Sequence, residues 1–196
     1  MAPTARYLSH PEVEIDFNKK VQNWSLSDRG RARTKALARS KALLGTTRVI
    51  TSAETKAIET ATPLASALGC DVEISEAMHE NDRSATGALP PDEFEQVADQ
   101  FFAQPHASVR GWETAIAAQK RIVGEVNACL DDHKEGDVLF VGHGGVGTLL
   151  YCALLNLPIS RAHDQKPGGG CFYPFEIGTM RPQRAWQPME ALLDQP

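Results

Sequence analysis

Short apolar runs alternate with amphipathic stretches along the 196 residues, and this rhythm predicts the elements. Strands are expected at 6–9, 48–52, 71–74, 137–142 and 171–177. The fourth is almost continuously apolar, as a strand covered on both faces should be. Helices are expected between them. Ser27-Asp28 caps one that runs to about residue 44 and stops at Gly45. A second spans 54–68 and ends at Gly69, with Pro63 placed to bend or split it. Over 112–130, Ile116, Val123, Val126 and Leu130 recur at helical spacing. Over 145–156, Val146, Leu149, Leu150, Ala153 and Leu154 face inward. Alternating strands and helices predict an α/β three-layer sandwich with a mainly parallel central sheet and right-handed crossovers.

Residues 75–111 interrupt the alternation with a charged stretch, His79-Glu80-Asn81-Asp82-Arg83, then Pro90-Pro91 and a short helix near 94–102. Such an insertion between core elements forms a lid or a site wall. One domain is therefore expected over 1–178, followed by an irregular surface tail over 179–196. There is no internal repeat.

Composition changes the picture mainly by exclusion. At 42% hydrophobic and 23% charged residues, the chain has the make-up of a soluble globular protein. A net charge of −5 provides no basic field for nucleic acid or an anionic membrane, so an anionic ligand needs a local cationic pocket. Cys70, Cys129, Cys152 and Cys171 stand far apart with no C-x-x-C spacing, which argues against zinc knuckles and disulfide frameworks. No apolar run approaches the roughly 20 residues of a membrane span, and no signal peptide is recognisable. A cytoplasmic location is expected.

The candidate chemistry lies in two histidines that end strand-like runs, His10 after Arg6-Tyr7-Leu8-Ser9 and His143 after Asp137-Val138-Leu139-Phe140-Val141-Gly142. If both runs are parallel strands of one sheet, both imidazoles emerge at its carboxyl edge, where open α/β sheets bind ligands. Two imidazoles facing each other across a crevice point to nucleophilic chemistry on a phosphoryl group.

Four blocks in order resemble the histidine phosphatase superfamily, the phosphoglycerate mutase-like fold. Tyr7-Leu8-Ser9-His10-Pro11-Glu12 is similar to its first block, usually apolar-apolar-Arg-His-Gly-Glu. Leu26-Ser27-Asp28-Arg29-Gly30-Arg31 is similar to the second, and Ser52-Ala53-Glu54-Thr55-Lys56-Ala57-Ile58-Glu59-Thr60-Ala61 to the third, Ser-Ser-x-x-x-Arg-Ala-x-Gln-Thr-Ala. Val141-Gly142-His143-Gly144-Gly145 is similar to the block that holds the second histidine. The resemblance implies phosphomonoester hydrolysis of a small phosphorylated substrate without metal or cofactor. His10 would be the nucleophile, His143 a donor to a non-bridging oxygen, and Glu80 or Asp82 the general acid. The Gly144 and Gly145 amides at a helix start add anion donors. A phosphomutase is a less favoured outcome. The resemblance leaves substrate and oligomeric state open.

Two positions depart from the pattern. The arginine before the nucleophile is Ser9 and the arginine of the third block is Lys56, so two phosphate-gripping guanidiniums are missing. A lysine does not replace a bidentate guanidinium in kind. Ser9, Lys56, Arg83 and Gly144 are the candidate phosphate ligands, with Arg83 the best replacement cation. The departures leave two readings open: other cations fill the pocket, or the protein binds a phosphorylated ligand without turning it over. Glu113 is a minor candidate for the site. The basic stretch Arg31, Arg33, Lys35, Arg39 and Lys41 reads as a solvated helix face. Gly142-His143-Gly144-Gly145-Val146-Gly147 also fits G-x-G-x-x-G. However, no strand ending in an acid follows it at the spacing a dinucleotide site needs.

Overall fold

A computed structural model describes residues 3–193 of the chain. Its centre is a sheet of β1 (Thr4–Ser9), β2 (Thr46–Ser52), β3 (Val72–Ser75), β4 (Asp137–Gly142) and β5 (Cys171–Glu176), with two short strands, β6 (Arg181–Pro182) and β7 (Gln187–Pro188). The order is β3-β2-β4-β1-β5-β6, with β7 also on β5. β3, β2, β4 and β1 run parallel and β5 is antiparallel to β1. In the β1–β4 register Ser9 lies opposite Gly142, so His10 and His143 leave the sheet side by side.

Five α-helices among the described residues cover the sheet: α1 (Asp28–Arg39), α2 (Thr55–Leu68), α3 (Pro91–Ala103), α4 (Ala115–Asp131) and α5 (Gly144–Leu154). Side chains of the central strands alternate between two cores, as a period of two requires. Tyr7, Ile50, Phe140 and Tyr173 pack with α3, α4 and α5. Leu8, Val49, Leu139 and Val141 pack with α1 and α2 on the other face. This is the three-layer α/β arrangement expected from the sequence.

Three expectations need correction. Helix α1 stops at Arg39, not near residue 44, because Ser40 Oγ donates to the Leu37 carbonyl at 2.7 Å and then accepts from the Ala42 amide, which diverts the chain. The buried stripe of α4 is Ala115, Ala118, Ile122 and Val126, with Val123 and Leu130 at its margin. Small alanines let the helix approach its neighbours, which a search for large apolar residues overlooks. The tail is not irregular over its described part. β6 and β7 pair with the otherwise open edge of β5, and Met189 and Leu192 are buried in the second core. Pro63 lies inside α2 without splitting it. No helix among the described residues is long and apolar enough to cross a membrane.

Candidate active site

β1 and β4 deliver the two histidines to one crevice. The His10 amide donates to the Gly142 carbonyl at 2.9 Å, and the imidazole centroids lie 5.2 Å apart with planes at 72°. Gly142 is required beneath this pair, since a Cβ there would lie 2.3 Å from the Tyr7 hydroxyl, which in turn accepts from the His143 amide. Across the opening, Gly170 donates to the His10 carbonyl, and a Cβ on Gly169 would fall 2.4 Å from that oxygen. The His10 backbone is therefore held from both sides.

His10 Nδ1 donates to the Pro11 carbonyl at 2.8 Å, which leaves the lone pair on Nε2. Burial, and then the nearby charge of Lys56, lower its pKa to about 4, so the ring is neutral at neutral pH. His143 is fully buried and is held well below its usual value, first by burial. Its Nε2 lies 2.8 Å from Ser52 Oγ, and its Nδ1 is buried without a partner among the described residues. A buried ring nitrogen without a partner costs free energy that an incoming ligand can recover.

Glu80 sits at the start of α5. Its carboxyl accepts from the Gly145 amide at 3.1 Å and the Val146 amide at 2.9 Å, and burial raises its pKa in spite of those bonds. The same contact answers the glycine-rich motif, because Glu80 occupies amides that a pyrophosphate would need. Asp82 is exposed, its carboxyl held low first by the Ser84 amide, and it has no such access. Arg121 of α4 fixes the Glu80 loop by donating to the carbonyls of Ala77 and His79 at 2.9 and 2.8 Å. Glu113 pairs with Arg121 rather than entering the crevice.

A cleft of about 450 Å³ is walled by His10, Glu80, Arg83, Gly144, Gln165 and an apolar side that includes Phe94, Phe102 and Trp112. Arg83 reaches it with its guanidinium 4.7 Å from the Phe94 ring centroid. No carboxylate among the described residues forms a salt bridge with it, and burial pulls its pKa down. The other two expected phosphate ligands are placed differently. Ser9 is fully buried, its Oγ engaged with Gln165 Oε1 at 2.5 Å and the Cys171 amide at 3.1 Å, so it is not free for a ligand. Lys56 is buried behind the wall, donating to the Val21 carbonyl at 2.8 Å and to Glu54.

Glu54 is the residue that sequence reasoning missed. It is 7% exposed, bonds Lys56, accepts from the Glu80 amide at 3.0 Å and lies 3.6 Å from His143 Nε2. Burial would raise its carboxyl. The neighbouring His143, the Lys56 ammonium and the Glu80 amide outweigh that and hold it at about 2. Glutamate two residues before lysine in a helix start gives no sign of this role, which exists only once three loops meet.

The family model of the histidine phosphatase superfamily (branch 1) matches residues 10–186. A relative named probable phosphoglycerate mutase GpmB, from Cronobacter sakazakii, is 26% identical over 157 residues, covering 76% of this chain and 73% of its own. Among solved structures, Bacillus stearothermophilus YhfR is 23% identical with a TM-score of 0.78, over 95% of this chain and 96% of its own. Mycobacterial glucosyl-3-phosphoglycerate phosphatase is 19% identical with a TM-score of 0.73, over 96% and 100%. Entamoeba histolytica phosphoserine phosphatase, in complex with 3-phosphoglyceric acid, is 16% identical with a TM-score of 0.75, over 97% and 100%. At these identities the structural matches establish the fold.

Proposed function

Because the chain belongs to the histidine phosphatase superfamily (branch 1), we propose that it hydrolyses small phosphomonoesters through a phosphohistidine on His10, without a metal ion. The observation that carries this reading is the pairing of a neutral His10, its Nε2 lone pair fixed by the Nδ1–Pro11 bond, with a Glu80 whose pKa is raised in the same cleft. His10 Nε2 attacks phosphorus in line, and the bond to the leaving oxygen breaks. That oxygen takes the proton of Glu80. Water then attacks the phosphohistidine and gives its proton to the Glu80 carboxylate, which releases inorganic phosphate and restores both groups. His143 Nδ1, the Gly144 amide and Arg83 stabilise the phosphoryl oxygens.

Binding without turnover is a second reading, favoured by one observation: Glu54 neutralises Lys56, so the local positive charge is weaker than two guanidiniums would provide. Phosphate release from a phosphomonoester panel, with chelator present, tests both readings in wild type and His10→Ala. The relatives' names put phosphoserine, phosphoglycerates and glucosyl-3-phosphoglycerate on that panel. Release that disappears with His10 supports hydrolysis. No release from wild type moves the assignment to a binding protein, and interconversion of phosphoglycerate isomers moves it to a mutase.

A further inference from the structure

We propose that Gln165 contacts the substrate phosphoryl group and that Ser9 is its positioning residue, the two together standing where the family resemblance places an arginine. The inference rests on His10 being the phosphoryl site. Ser9 Oγ lies 2.5 Å from Gln165 Oε1, a separation that suits O–H···O and is too short for N–H···O. The contact therefore orients the carboxamide, with its oxygen toward Ser9 and Nε2 directed away. Nε2 sits over Gly144, where a Cβ would approach it to 2.2 Å, so any larger residue there would push the carboxamide out of this position. Gln165 lines the same cleft as His10, Glu80 and Gly144, and its Nε2 donates to no described protein atom. Both ends of the arrangement are anchored. The Cys171 amide donates to Ser9 Oγ at 3.1 Å, and the Gln165 amide donates at 2.7 Å to Asp164, which also accepts from the buried Thr148 of α5. A primary carboxamide so held offers N–H donors to a phosphoryl oxygen without adding charge.

The experiment measures the affinity of inorganic phosphate by calorimetry and kcat/KM on the best phosphomonoester. It compares wild type, Gln165→Met, Ser9→Ala and the double variant. Gln165→Met keeps side-chain length and leaves Ser9 bonded to Cys171, so its thermal midpoint should stay near wild type. Losing a hydrogen bond to a charged group should weaken phosphate binding about tenfold or more. Ser9→Ala should weaken it less in the wild-type background and have no further effect in the Gln165→Met background, the non-additivity of a residue acting through another. Unchanged phosphate affinity and kcat/KM in Gln165→Met would overturn the inference while leaving the hydrolase reading intact. So would equal Ser9→Ala losses in both backgrounds. Gln165-dependent phosphate binding in a wild type that releases no phosphate would support the inference and sink the hydrolase reading. A wild type that neither binds nor releases phosphate refutes both.

Discussion

Replacing Glu54 by glutamine keeps the shape of the side chain and removes its charge from a pocket where only 7% of the residue is exposed. Two estimates of the effect can be compared. Breaking a buried ion pair by removing one partner typically costs about 3–5 kcal/mol. The Glu54 carboxyl is also lowered from the usual 4.5 to about 2, and at about 1.4 kcal/mol per decade this contributes about 3 kcal/mol at neutral pH. The estimates agree, so Glu54→Gln should lose about 3 kcal/mol at pH 7, a midpoint drop of roughly 6–12 °C for a chain of this size. The sign of the pH dependence follows from the folded carboxyl being depressed. Its contribution is complete above the unfolded value near 4.5 and is lost as pH falls toward 2. Urea unfolding of wild type and variant at pH 7, 5.5, 4 and 3 measures the difference. It should stay constant between 7 and 5.5 and shrink below 4.5. A loss under about 1 kcal/mol at pH 7, or a gap that does not narrow with acid, would refute the view that Glu54 is an ionised partner of Lys56.

The pH profile of kcat/KM should be bell-shaped, its acid limb near 4 from His10 and its alkaline limb from the raised Glu80; Glu80→Gln should abolish the alkaline limb and slow turnover about 10²–10⁴-fold. A profile flat in Glu80 would reassign the acid. Arg83→Ala should raise KM about tenfold or more and Arg83→Lys should recover part of it, because the guanidinium reaches the cleft without a salt bridge among the described residues; equal KM in all three would remove Arg83 from the phosphate site. Gly169→Ala combines a φ of +62° with a Cβ 2.4 Å from the His10 carbonyl, so it should reduce activity far more than Gly178→Ala, which meets nothing within 4 Å. Parallel assays of the two variants decide this.

By itself the sequence determined the layered α/β fold, because apolar strands flanked by amphipathic helices have few other ways to bury their faces. It also brought His10, His143 and Gly144 to one sheet edge, since strand ends and a helix start fix where a residue emerges, whereas Glu80 came from the family resemblance. Those readings use period and position, which are local. Contacts across loops decided the rest. Ser9 and Lys56 stand at positions expected to touch phosphate, yet Gln165 engages the Ser9 hydroxyl from 156 residues away and the Val21 carbonyl, with Glu54, holds the Lys56 ammonium behind the wall. The tail shows the same limit: its short, proline-rich pieces have no strand signal, and they pair because β5 leaves an edge to be filled. Which hydrogen-bond donors remain free for a ligand depends on what every other donor and acceptor has found, and only the folded chain settles that.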